Sequence, residues 1–66
     1  MNYDVLKELL GMLQNCDYPI DKIEINDSCA DVYFESNNRE KYEYFLNLWN
    51  CDMHNANNSY IRFYLS

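Results

Sequence analysis

Two different apolar periods run along this chain. From residue 3 to 15 the period is helical: Leu6, Leu9, Leu10 and Leu13 recur at i, i+3, i+4 and i+7. Val5, Met12 and Cys16 widen the stripe, while Asp4, Lys7, Glu8, Gly11, Gln14 and Asn15 lie opposite. Asn2 is the expected N-cap, with Asp4 in the positive first turn. Gly11 costs about 1 kcal/mol relative to Ala inside a helix, so it either admits a close neighbour or is merely tolerated. Pro19 stops the helix from continuing.

The period then drops to two. In "IDKIEIN", Ile23 and Ile25 point one way and Lys22, Glu24 and Asn26 the other. "NDS" signals a turn, and the alternation resumes with Ala30, Val32 and Phe34 inward and Asp31, Tyr33 and Glu35 outward. The pair reads as a β-hairpin. A second helix starts at "SNNRE", where Asn37 and Glu40 form a variant capping box, and runs to about Asn50. Tyr42, Phe45, Leu46 and Trp49 fall within about 100° on its surface and form the expected core stripe. Tyr44 and Leu48 sit one turn apart, off that stripe, as a small patch that either reinforces the helix or seats in a partner. "NANNS" reads as a loop. Residues 60 to 65 alternate again, with Ile61, Phe63 and Leu65 inward and Tyr60, Arg62 and Tyr64 outward.

The predicted order is α-β-β-α-β, an α+β domain with two helices packed on one face of a three-stranded, mainly antiparallel sheet. Two strand orders are open. With the first strand in the middle, the last crossover is a split β-α-β and every pair is antiparallel. With the second strand in the middle, the last strand pairs with it in parallel. The first order is slightly preferred, although the second strand is the more apolar of the hairpin.

Composition fits one small folded domain of 66 residues: 48% hydrophobic and 17% aromatic content argues against disorder. No apolar run approaches the roughly 18 residues that span a membrane. The start, MNYDVLKELL, lacks the features of a signal peptide. Cys16, Cys29 and Cys51 are odd in number and irregular in spacing, which suits a reducing, cytoplasmic setting better than a disulfide framework. The net charge of -6 opposes direct binding to nucleic acid; on its own it either keeps a small protein soluble, the plainer reading, or draws it toward basic partners.

Candidate chemistry is sparse. "CDMH" places Cys51 and His54 at C-x-x-H spacing, which with Cys16 and Cys29 would make a three-cysteine, one-histidine zinc set. The predicted topology separates Cys16 from the others by a strand length of about 20 Å, so no metal site is expected. The chain has no Gly-rich phosphate loop and no nucleophile elbow. Neither an enzyme nor a cofactor is expected.

Charge placement says more. Between Asp17 and Glu35 lie Asp17, Asp21, Glu24, Asp27, Asp31 and Glu35, against Lys22 alone. Glu24, Asp31 and Glu35 share the outward face of the hairpin with Tyr33, and the last strand adds Tyr60 and Tyr64. Carboxylates repeating every 6–7 Å or so can imitate phosphates to a basic groove; a solvated face with Lys22 and Arg62 as cross-strand partners is the plainer reading. Tyrosines on an open sheet could stack bases, but adjacent carboxylates would repel phosphate. They suit a protein interface better, and homodimerisation would use the same face.

In overall character the short span from MNYD to YLS, the acidic hairpin "DKIEINDSCADVYFE" and the tyrosine content resemble small acidic inhibitors encoded by phages and mobile elements, such as anti-CRISPR proteins. That class shares no diagnostic residues, so the resemblance assigns no site. It implies a non-catalytic binder that blocks the nucleic-acid-binding groove of a bacterial defence protein, such as a CRISPR effector, in the host cytoplasm. The candidate contact residues are Glu24, Asp31, Tyr33, Glu35, Tyr60 and Tyr64 on the sheet, with Tyr44 and Leu48 on the helix. The alternative is a homo-oligomeric structural or adaptor protein using the same tyrosine face.

Overall fold

A computed structural model describes residues 3–35, 38–54 and 59–65. The elements are α1 (Tyr3–Gln14), β1 (Ile20–Ile25), β2 (Cys29–Phe34), α2 (Arg39–Leu48), β3 (Cys51–His54) and β4 (Tyr60–Tyr64). The α+β class holds, but among the described residues there are four strands, in the order β1-β2-β4-β3, all antiparallel to their neighbours. The additional strand is "CDMH". It reverses the chain once more, so β4 pairs with β2, as in the less favoured order, yet runs antiparallel to it. The split β-α-β also exists, as β2-α2-β3 with β4 filling the gap.

Both helices bury against one face. Leu9 and Leu13 from α1 and Phe45 from α2 join Ala30, Val32 and Phe34 of β2, Cys51 of β3, Ile61 and Phe63 of β4, and Leu65 in a single core. The inward residues of β2 and β4 are those the alternation predicts. Those of β1 are not covered: Ile23 and Ile25 face the same side but stand at the edge of the sheet and remain exposed. In α1, Gly11 has nothing within 4 Å of where a Cβ would stand, so it is tolerated and admits no close neighbour.

The core stripe of α2 is rotated from the expected one. Leu46 is 47% exposed, and Lys41 is fully buried beside Phe45. Lys41 Nζ lies over the Phe34 ring, 4.9 Å from its centroid, and burial lowers the amine's pKa. Phe45 is the hub, with Phe34, Phe63, Tyr18 and Tyr44 all within 6 Å between ring centroids. The cap also shifts: Asn38, not Asn37, accepts the Glu40 N–H at 2.8 Å, while position 37 and the expected cap Asn2 lie outside the described residues. Trp49 ends the helix in an extended conformation, short of the expected Asn50, and its indole N–H donates to the Tyr64 carbonyl at 3.1 Å.

The sheet is closed by short ties. In the "NDS" turn the Asn26 N–H donates to the Cys29 carbonyl at 2.8 Å. The register of β1 against β2 shifts between Ile20 and Lys22, a bulge that lets Asp21 stand unpaired.

Candidate partner-binding face

The helices leave the other face of the sheet open, and the register places its side chains in rows. One row is Lys22, Tyr33, Tyr60 and His54, one residue from each strand. The next is Glu24, Asp31, Arg62 and Asp52, again one from each. Adjacent strands lie about 4.8 Å apart, so rings in one row can stack across them. They do: Tyr33 and Tyr60 are stacked at 4.8 Å, and Tyr60 and His54 at 5.4 Å. Lys22 Nζ closes one end, 4.5 Å from the Tyr33 centroid. Burial, and then Glu24, raise the pKa of Tyr33.

The charged row is largely satisfied within itself. Asp31 is only 4% exposed and accepts both Arg62 Nε at 2.7 Å and Nη2 at 3.0 Å. This bidentate pair raises the Arg62 pKa, first through the hydrogen bond and then through charge. Asp31 was expected to face a partner; it instead anchors β2 to β4, because a carboxylate in the middle of a sheet is desolvated by its neighbours and must be paired. Glu24 lies 3.2 Å from Lys22, but both are exposed, and such pairs contribute little. Asp52 accepts from the Tyr64 hydroxyl at 2.7 Å, which raises that tyrosine's pKa and orients the carboxylate. Glu35 is exposed just beyond the end of β2.

Of the residues expected at the site, Glu24, Tyr33, Tyr60 and Tyr64 therefore share the open face, with Asp31 buried inside it. Tyr44 and Leu48 do not join them. They are exposed on α2, on the opposite layer, where Tyr44 leans on Tyr18 at 5.9 Å. Asp52 and His54 belong to the face and were not expected there. The signal was their spacing of two in "CDMH", which on a strand puts both on one side and Cys51 and Met53 on the other.

That spacing also separates the C-x-x-H pair. Cys51 is buried in the core with its thiol pKa pushed up to about 11, first by burial and then by Asp52. Cys16, Cys29 and Cys51 are free thiols, and among the described residues no three His, Cys, Asp or Glu side chains group to hold a metal ion. Among the same residues, no helix is long and apolar enough to cross a membrane.

Comparison with known proteins adds no relative: no family model, curated protein or solved structure matches this chain.

Proposed function

We propose that the chain is a non-catalytic binding protein of the anti-CRISPR kind its sequence resembles. It caps a basic, nucleic-acid-binding surface of another protein, such as a CRISPR effector, with the open face of its sheet. The observation that supports this reading is the Tyr33–Tyr60–His54 stack on a helix-free face, flanked by carboxylates. Rigid half-buried rings offer large contact area at little entropic cost. Glu24, Asp52 and Glu35 stand where they can receive a partner's Arg or Lys. Because Asp31 is held by Arg62, the face imitates phosphates less than a free carboxylate row would. The contact is centred on the rings, with charge steering the approach.

The test is competition. A panel of RNA-guided effectors is titrated with the chain while target-nucleic-acid binding is followed. One effector should lose binding, and Tyr60→Ala should weaken that effect at least tenfold. Glu24→Lys with Glu35→Lys should reduce both the affinity and its salt dependence. If both variants compete as well as the parent chain, this face is not the contact.

A second reading, a homo-oligomeric structural or adaptor protein, buries the same tyrosine face against a second copy, with the stacked Tyr33 and Tyr60 at its centre. Sedimentation that stays monomeric at micromolar concentration would dismiss it.

A further inference from the structure

The sheet has two edges, and they are not alike. β1 follows Pro19 and carries the bulge, two devices that discourage another strand from pairing there. β3 has neither. Its pairing with β4 is regular over Cys51–His54, and the Asn50 carbonyl accepts the Tyr64 N–H at 3.0 Å. In an antiparallel ladder this makes Asp52 and His54 the positions bonded to β4. The N–H and C=O of Met53 therefore point the other way, to an edge that no other described strand pairs with.

Three further observations converge on that edge. The first is the ring ladder: a cation closes it at Tyr33, while beyond His54 no further ring follows among the described residues. The second is His54 Nε2, which is shielded from solvent and has no hydrogen-bond partner among the described residues. Such an atom carries a free-energy penalty until something pairs with it. The third is a groove of about 290 Å³ lined by Asp52, Met53 and His54 of β3 and by Arg39 and Tyr42 of α2. It runs between the strand and the first turns of the helix.

We propose that the β3 edge is a strand-addition site for an extended segment of a protein partner that carries an aromatic and a basic residue two positions apart. Its backbone pairs with Met53. Its aromatic side chain continues the ladder beyond His54, and its Arg or Lys meets Asp52. Charge complementarity sets the choice: Asp52 ends the row in which Arg62 already sits on its other side, so a cation extends the alternation. Because β3 has four residues, the pairing is short, and the two side-chain contacts must supply selectivity. This inference shares Asp52 and His54 with the docking face but concerns the edge of β3 beyond them, and it stands whether or not that face meets a basic surface.

β4 already satisfies β3 in this manner, with Tyr60 opposite His54 and Arg62 opposite Asp52. A synthetic peptide copying residues 59–65 is therefore the probe. It is titrated into the isotopically labelled whole chain, and amide shifts and amide hydrogen exchange are followed. The expected result is saturable binding with shifts centred on Met53 and His54, and at least tenfold slower exchange of the Met53 N–H. A peptide with Glu in place of its Arg should bind at least tenfold more weakly, and Asp52→Lys should reverse that preference. The reversal is read on a folded variant, checked by its dispersed spectrum, so it does not depend on disrupting the strand. No binding, shifts confined to β1, or equal binding of both peptides would overturn the proposal. Protection of the Met53 N–H that appears on concentrating the chain alone would overturn it too, by making a second copy the occupant.

Discussion

The phase of α2 can be tested by substituting neighbouring residues. Phe45 is wholly buried and touches four aromatic rings, whereas Leu46, the next residue, is half in water. Removing a buried Phe side chain to Ala costs about 3–5 kcal/mol, the lost transfer energy plus the cavity. A 66-residue domain has a total stability of about 3–10 kcal/mol. Phe45→Ala should therefore remove from about a third to all of that stability. Phe45→Leu refills most of the space and should cost about 1–2 kcal/mol. Leu46→Ala should stay within about 0.5 kcal/mol of the parent. The assay is urea denaturation followed by far-UV circular dichroism and Trp49 fluorescence. With a urea slope of about 1 kcal/mol/M for so small a protein, Phe45→Leu should move the midpoint by about 1–2 M. Had the stripe run through Tyr42, Phe45, Leu46 and Trp49, Leu46→Ala would cost at least as much as Phe45→Leu. Equal midpoint shifts for those two variants would refute the rotated phase.

Other outcomes follow from single contacts. Gly11→Ala should stabilise the chain by about 1 kcal/mol, because helix propensity improves and the added Cβ meets nothing; a loss of stability in the same melt would show a hidden clash. Asn38→Ala should cost about 1 kcal/mol through the lost cap, measured by the same denaturation. Burial raises the Cys51 thiol from 9.0 to about 11, so the folded chain holds that proton more tightly than the unfolded one. Its contribution is complete below pH 9 and is lost as pH rises through about 11. Cys51→Val should flatten the fall in stability over that window, and an unchanged slope would contradict the assignment.

How far the sequence reveals this fold depends on where each residue's environment comes from. β2 and β4 are read correctly because their alternation is complete and both helices cover them: Ala30, Val32, Ile61 and Phe63 all reach the core. β1 shows the same pattern in Ile23 and Ile25, but an alternation states only which side a residue faces. Whether that side is covered depends on how far the helices extend over the edge. The stripe on α2 was displaced because Lys41 counts as polar, although four methylenes of its side chain pack like a hydrophobe. β3 was missed because "CDMH" has no β-branched residue and only four positions. On the open face, the tyrosines were legible from parity alone. Asp31 was not, since its partner Arg62 stands 31 positions away and only the β2–β4 register brings them together.

The order of the strands has a consequence for how the chain is made. β4, in the interior of the sheet, is the last of the four strands to be synthesised. Until residues 60–64 emerge, β2 lacks its inner neighbour and β3 lacks any neighbour at all. Translation proceeds at roughly 5–20 residues per second, so β2 and β3 are made up to a few seconds before the strand that joins them. Closure is then a single late insertion, in which one segment satisfies two waiting strands at once, and the Asp31–Arg62 clasp forms only at that moment. The nascent chain is most exposed to wrong pairing just before that step.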